Sequence, residues 1–287
     1  MSSFETSRSL SVQPLWNDYS RKSAGPLREE RLRGGGASAV AYEEVEVEAG
    51  VVPNGSEWSL CSLRRAMDFT LAFFGLLLFS PVFGILAIAV RFSSSGPIIF
   101  RQQRVGRLGQ LFTIYKFRTM EAQPQPKGLS VTRHGDRRVT QVGRLLRRYK
   151  LDELPQLVNV LFGDMSLVGP RPKLPDHQHR QAQSMPFRPG ITGAATLVFR
   201  CEEEMLRQIP EEQIEAFCKY KLTPYKTSLD FAYAERATFG SDVGLMLRTA
   251  QVCVMRSKAR PPSVGDVFEG VGSTSPYDAS RFSRSYV

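Results

Sequence analysis

The sequence predicts a mixed α+β fold. A membrane-inserted helix broken at a Ser-Pro pair is followed by a compact cytosolic α/β domain with amphipathic surface helices. Three observations predict it. The run "FTLAFFGLLLFSPVFGILAIAV", Phe69 to Val90, has no charge over 22 residues, long enough for a membrane helix. Two short strand-like runs, "PIIFRQ" and "LFTIYKF", follow it between glycine-bearing turns. Beyond them, apolar residues recur at helical spacing.

Residues 1–58 are rich in Ser, Gly, Glu and Arg, include "GGGAS", and show no sustained apolar period. They read as a disordered tail. Within it "AYEEVEVEAG" alternates acid and valine, a pattern for one exposed strand without an evident partner. Residues 257–287, rich in Ser and Pro, read as a second disordered tail.

The apolar run begins too deep in the chain for a cleaved signal peptide. Pro81 removes a backbone donor and biases Ser80 away from the helical region. That predicts two arms, Phe69–Phe79 and Val82–Val90, of about 16 Å and 14 Å at 1.5 Å per residue. Each reaches roughly the middle of a ~30 Å hydrocarbon layer. Arg64 and Arg65 precede the run, and Arg91, Arg101, Arg104 and Arg107 follow it. A helix that dips in, turns at Ser80-Pro81 and returns keeps both clusters on the cytoplasmic side. A proline-kinked span is the alternative, since spans tolerate proline. The residues alone leave both topologies open for the membrane helix of residues 59–92, with re-entry slightly favoured.

Past the two strands, Val142, Leu145, Leu146 and Tyr149 share one helical face, and Leu154, Leu157, Val158 and Leu161 form the stripe of the next helix. Asp152 stands at the N-cap of that second helix, with Pro155 tolerated in its first turn. "PEEQIEAFCKYKL" and "DVGLMLRTAQVCVM" complete the helical set.

The net charge is +10 over 287 residues. Residues 1–56 hold six Lys/Arg against eight Asp/Glu, whereas 91–118 hold six against none and 133–150 hold seven against one. Such central basic blocks suit phosphate-bearing partners: nucleic acid, anionic lipid or nucleotide. Nucleic-acid binding is excluded as the reading, because no recognisable module accompanies the charge and a deep apolar segment does. Cys61, Cys201, Cys218 and Cys253 lie far apart and are expected to be reduced and mostly buried. His177 and His179 have a spacing that can bind metal on a strand, but no third ligand lies nearby, so they are assigned to a polar loop.

The chemistry concentrates in "RRYKLDELPQL", where Asp152 and Glu153 follow Arg147, Arg148 and Lys150. Helix terminus and cations together should lower the carboxylate pKa values and gather phosphates at the same place. An acidic pair inside a basic pocket is what a carboxylate needs to meet a polyphosphate, with a divalent cation held by one acid. A helix cap beside a solvated acid is the plainer alternative.

The order of "GPIIFRQQRVGRLGQLFTIYKFRTM", "LDELPQLVNVLFGDMSLVGPRP" and "FRPGITG" behind the Ser-Pro-broken segment resembles the bacterial sugar transferases. These are the small monotopic polyprenyl-phosphate phosphoglycosyl transferases of exopolysaccharide, O-antigen and related glycan assembly. The resemblance covers about Leu63 to Arg256. It implies a catalytic domain over residues 93–256 on the cytoplasmic face of the bacterial inner membrane, with Ser80 and Pro81 as the membrane hinge. It implies transfer of a sugar 1-phosphate from a UDP-sugar to polyprenyl (undecaprenyl) phosphate, with release of UMP. Asp152 would attack the β-phosphorus and form a covalent phosphosugar intermediate, and Glu153 would be the ligand of a Mg²⁺ cofactor. Lys116, Arg147 and Arg171 match basic positions facing the phosphates, and Arg188 of "FRPGITG" is a further substrate-binding candidate. The implied partners are the UDP-sugar, the polyprenyl phosphate, the lipid bilayer and downstream glycosyltransferases. Gly163 and Asp164 are expected in a turn, Pro170 and Pro172 in a rigid loop that aims Arg171, and Arg118 near the phosphates or at lipid headgroups.

Two departures stand out. Arg137 replaces a proline common in relatives, and "AATLVFRCEEE" follows "RPGITG" where many relatives carry a Trp-Ala-Gln-Val run, which leaves sugar selectivity open. The chain also lacks the extra spans of larger relatives and is expected to be a minimal catalytic form with an extension. A catalytically silent membrane scaffold is the alternative function, and the acid pair with its cations argues against it.

Overall fold

The computed structural model describes residues 55–121, 136–175, 185–200 and 202–254, within one compact unit, Val52–Val267. Most of both expected tails, the "AYEEVEVEAG" strand, Cys201, His177 and His179 lie outside the described residues. The fold begins earlier than the expected boundary at residue 59. Helix α1, Glu57–Leu60, is capped by Ser56, whose side chain accepts from the Ser59 amide. Trp58 Nε1 then donates to Asp242 at 2.8 Å.

Helix α2, Ser62–Ser93, is one 32-residue helix that runs through Ser80 and Pro81. The Leu77 carbonyl is four residues before Pro81, which has no N–H to offer it. Ser80 Oγ donates to that carbonyl at 2.8 Å, so the hydroxyl replaces the missing amide. The helix is long and apolar enough to cross a membrane, and only 6% of its most apolar window is buried.

Both ends of α2 are tied to the domain by polar contacts. Arg64 forms a buried ion pair with Asp242 at 2.8 Å and donates to Val168 O at 2.8 Å. Asp68 accepts from Ser166 Oγ at 2.7 Å and from the Leu167 amide at 3.0 Å. At the far end Arg118, buried rather than facing headgroups, donates to the carbonyls of Val90, Ser94 and Pro97. Its cation thus ties the last turn of α2 to the chain that leaves it, where carbonyls lack helical partners.

Strands β1, Ile99–Val105, and β2, Leu111–Phe117, form an antiparallel hairpin in which Phe100 faces Lys116, Gln102 faces Ile114 and Arg104 faces Phe112. Directly opposed residues share a face, so Lys116 and Arg104 point the same way as the buried Phe112 and Ile114. Phe112 and Ile114 pack in a core cluster with Ala72, Val160 and Met165, whereas Phe117 packs in another with Val90 and Leu146.

Helix α3, Gln141–Arg148, starts at Thr140, whose side chain accepts from the Gly143 amide. A Cβ at Gly143 would lie 2.1 Å from Thr119 O, so only glycine lets α3 lie against that backbone. Val142 and Leu146 face the core as expected, while Leu145 and Tyr149 are exposed. Lys150 then adopts the left-handed conformation, φ 57, which ends α3 and turns the chain into a 3₁₀ turn, Leu151–Glu153.

Helix α4, Gln156–Phe162, follows, with Pro155 at its N-cap. Asp152 is therefore not the cap of a helix. The face of α4 buried deepest is Gln156, Asn159 and Val160; of the expected stripe, Leu157 and Leu161 are only partly buried against the core. Asn159 explains the difference. Its Oδ1 accepts from the Tyr115 amide at 3.1 Å and its Nδ2 donates to Thr113 O at 2.8 Å. It pairs with the backbone of β2 as a third strand would.

Strands β3, Ser166–Val168, and β4, Gly190–Thr192, pair in parallel. A Cβ at Gly190 would lie 2.1 Å from Gly169 N, so this approach too needs glycine. The chain continues through short helices α5, Ala194–Val198, α6, Glu202–Met205, and α7, Glu211–Phe217. A π-helical stretch, Cys218–Leu222, leads into α8, Thr223–Arg236, and the last helix is α9, Phe239–Val254. The mixed α+β class is thus observed. The cysteines differ from expectation: Cys61 is exposed, and Cys218 and Cys253 are half-buried.

Candidate active site

The LDE turn is delivered by the left-handed Lys150 and fixed from behind by α4. Glu153 Oε1 receives two cations, Lys116 Nζ at 2.8 Å from β2 and Arg171 Nη2 at 2.6 Å from the loop after β3. Burial alone would raise the Glu153 pKa; Arg171 and Lys116 outweigh it and hold the carboxyl well below the usual range. The same neighbours act in reverse on the amine, where burial lowers the Lys116 pKa and Glu153 opposes that.

Asp152 behaves differently one residue away. It is buried, and its Oδ1 has no hydrogen-bond partner. Burial, then the negative charge of Glu153, push its pKa up, against the nearby cations Lys116, Lys150 and Arg147. The expectation that both acids are lowered is thus corrected: one cationic pocket ionises Glu153 firmly and leaves Asp152 reluctant. With no cap geometry at Asp152, the helix dipole does not help it.

Of the sequence-derived site residues, Lys116, Asp152, Glu153 and Arg171 meet here. Arg147 stands beside them, with Nε donating to Thr119 Oγ1 at 2.9 Å and Nη1 3.4 Å from Glu203. Arg188 does not join the group. It donates to Gly163 O at 2.6 Å, at the C-terminal end of α4. Gly163 closes that helix with φ 91, the expected turn, and Asp164 accepts from Asn159 Nδ2 at 3.2 Å. Ser80 and Pro81 belong to α2 and make no part of the site.

Three further residues belong to the site that the motif reading did not assign to it. Arg104 Nη1 donates to Pro172 O at 3.2 Å while its buried Nε is unpaired; burial and the neighbouring Arg171 lower its pKa to about 10. The signal for Arg104 was the hairpin register, which puts it on the face of Lys116. Asn159, fully buried on α4, links the strand of Lys116 to the helix behind Asp152. Asp230 on α8 accepts the amides of Ala195 at 2.9 Å and Arg171 at 3.4 Å. Burial raises its pKa to about 6. Asp230 also lines a cavity of about 130 Å³ beside Arg171, with Lys173, Lys226, Thr227 and Phe231. Nothing local in "SLDFAYAE" marks it, because its partners are far away in sequence.

The residues fit a divalent cation of the Mg²⁺ kind. Asp152 Oδ1 is buried and unpaired, next to a carboxylate held ionised, and hard cations of this kind use one or two carboxylates plus substrate phosphates and water. Among the described residues no cluster of three or more His, Cys, Asp or Glu could hold a metal without such help.

Comparison with known proteins gives a consistent result. The sequence model of the family described as "Bacterial sugar transferase" matches residues 59–256. The chain is 43% identical over 166 residues to UDP-glucose:undecaprenyl-phosphate glucose-1-phosphate transferase of Escherichia coli (strain K12), covering 55% of this chain and 36% of that protein. It is 41% identical over 143 residues to UDP-N-acetylgalactosamine-undecaprenyl-phosphate N-acetylgalactosaminephosphotransferase of Aeromonas hydrophila, covering 47% and 34%. It is 34% identical over 227 residues to the uncharacterized sugar transferase EpsL of Bacillus subtilis (strain 168), covering 78% of this chain and 96% of EpsL. The chain thus spans about a third of the first two relatives and nearly all of the third.

Proposed function

The chain belongs to the bacterial sugar transferase family, and on that premise we propose that it transfers a sugar 1-phosphate from a UDP-sugar to undecaprenyl phosphate, releasing UMP. The observation that supports this most is the division of labour in the acid pair. Glu153 is locked between Lys116 and Arg171, while Asp152 keeps a buried oxygen free of hydrogen bonds. A nucleophile needs an unengaged lone pair, and a polyphosphate needs cations that neutralise it.

In the proposed reaction an Asp152 oxygen forms a bond to the β-phosphorus, and the bond from that phosphorus to the bridging oxygen breaks. UMP leaves with those electrons. An oxygen of undecaprenyl phosphate then attacks the same phosphorus, the aspartyl–phosphorus bond breaks, and the carboxylate is restored. Two displacements let a soluble donor and a membrane-bound acceptor use one site in turn. Arg171 and Lys116 offset the charge of the phosphates, Arg104 stands behind Arg171, and Asp230 fixes the backbone of the loop that presents Arg171. The cavity beside Arg171, lined also by Lys173 and Lys226, would give part of the donor room on the far side of that cation. Glu153 would hold Mg²⁺, which when bound supplies charge neutralisation at the transferring phosphoryl group.

The same reading places the domain at the cytoplasmic face of the inner membrane, with α2 re-entrant. Both arms of α2 return to one domain: Ala72 packs with the Phe112 end of β2 and Val90 with the Phe117 end. Five strand residues span about 17 Å, whereas 18 residues of straight helix span about 27 Å. Between the arms, Leu77, Leu78, Phe79 and Pro81 are exposed, as a tip buried in lipid would be.

The test is turnover of purified full-length protein in nanodiscs with Mg²⁺, undecaprenyl phosphate and a panel of UDP-sugars. The reading expects label from one donor to appear in the lipid fraction with equimolar UMP. A folded, membrane-bound protein that moves label from none of the panel into lipid would count against it.

A further inference from the structure

Away from the acid pair, at the opposite end of α4, three arginines crowd around a cleft that also includes Ser59, Asp68 and Phe187. Arg65 donates to the carbonyls of Val160 and Leu161. Arg188 donates through Nε to Gly163 O at 2.6 Å, and Arg107 through Nε to Pro186 O at 2.7 Å. In Arg107 and Arg188 both terminal nitrogens meet no acceptor among the described residues. Each guanidinium is thus held by one edge, with its other edge unpaired.

The charge of this cleft is not balanced. Arg64, which also lines it, is neutralised by Asp242 at 2.8 Å. Among the described residues lining the cleft, Arg65, Arg107 and Arg188 have only Asp68 to share, and that carboxylate already accepts from Ser166 and the Leu167 amide. Burial, then the proximity of Arg65 and Arg107, lower the pKa of Arg188, and Asp68 offsets little of it. Like charges are held together here by backbone carbonyls rather than by acids, which leaves a field that favours an anion.

Depth identifies the ligand chemistry. Arg65 precedes Phe69, the first residue of the uncharged segment, by four residues, or about 6 Å of helix. With α2 inserted in the membrane as proposed above, on which this inference rests, the cleft lies at the level of lipid headgroups. Planar guanidinium edges match phosphate oxygens in pairs. We infer that Arg65, Arg107 and Arg188 form a binding site for a phosphate group at headgroup depth, separate from the acid pair. The phosphate is supplied by an anionic lipid or from solution. The site does not depend on the proposed transfer reaction.

The test uses the full chain in neutral detergent, titrated calorimetrically with dihexanoyl phosphatidylglycerol, with inorganic phosphate, and with zwitterionic dihexanoyl phosphatidylcholine. Binding at the acid pair is common to all variants and cancels in the comparison. The expected result is that Arg107→Gln, at an exposed position, weakens one equivalent of phosphatidylglycerol by about tenfold, the loss of one charge-assisted contact. Arg107→Gln with Arg188→Gln should abolish that equivalent. Parallel loss of inorganic phosphate identifies a general phosphate site, and loss for the lipid alone identifies a headgroup site. Unchanged binding of both anions in Arg107→Gln overturns the proposal, as does equal binding of phosphatidylcholine. That single variant decides the matter if the double variant does not fold.

Discussion

At one end of α4, Lys116 and Arg171 converge on a single oxygen of Glu153; at the other, Arg65 and Arg188 rest on helix carbonyls with no ion pair among the described residues. Both ends gather cations, yet they solve the repulsion between them differently. Where an acid intervenes, the cations become a fixed frame around a second, reluctant carboxylate. Where only carbonyls intervene, partial charges hold the guanidinium groups in place but leave their full charge unanswered. On the proposed readings, the contrast separates a site that would react with a phosphate from one that would hold one.

The largest effect expected at the acid end is on turnover. Asp152→Asn should abolish it while leaving membrane association intact, and at pH 7 it should raise Tm by a few degrees. The sign follows from the raised pKa of Asp152. Its contribution to stability is fully present below its unfolded pKa and is lost as pH rises through the higher folded value. Asparagine removes that cost, so the gain in Tm should shrink below about pH 4. Near-normal turnover, or a lower Tm at pH 7, would break the distinction between the two acids.

Glu153→Gln should do the opposite to stability. The lowered pKa of Glu153 means a contribution present above its unfolded pKa and lost as pH falls through the folded value. Removing its charge leaves Lys116 buried and unpaired, at a cost of about 3 kcal/mol, the low end for buried pairs because Arg171 keeps partial access to water. Denaturant melts at pH 7 would read this as a lower midpoint at unchanged slope, and a stabilised variant would contradict it.

Asn159, midway along α4, joins the two ends to β2. Asn159→Leu strands the Tyr115 amide and the Thr113 carbonyl, which should cost about 2–3 kcal/mol. Because it displaces Lys116 rather than removing it, KM for the donor should rise more than kcat falls. An unchanged KM in a folded variant would show that Asn159 matters for packing alone.

The smallest effect belongs to the carbonyl-held end. Arg65→Gln loses two charge-assisted bonds to the last turn of α4, worth about 1–2 kcal/mol together. A loss as large as that of Glu153→Gln would mean that the two ends are not different in kind.

Much of this was legible in the residues. The alternation of "LFTIYKF" placed β2 and, through the family motif, Lys116; the order of motifs placed Asp152, Glu153 and Arg171. What stayed hidden depends on contacts distant in sequence. Which acid is held ionised more firmly is set by Lys116, 37 residues before Glu153, and Arg171, 18 after it. The leucine stripe of α4 misread its buried face because Asn159 satisfies the backbone of β2, a polar demand that hydrophobic periodicity does not register. The motif groups Arg188 with the phosphate-facing cations, whereas its guanidinium is held by Gly163 O at the other end of α4, a contact 25 residues away in sequence. The Ser-Pro pair read as a break, and the hydroxyl of Ser80 lets the helix pass through it.

The most direct test of the central claim mixes purified protein, Mg²⁺ and the reactive UDP-sugar without lipid acceptor, then measures UMP and maps any adduct by mass spectrometry. The account predicts a burst of UMP stoichiometric with enzyme and a phosphosugar on Asp152. No burst and no adduct, followed by full turnover once undecaprenyl phosphate is added, would contradict it and establish direct transfer instead.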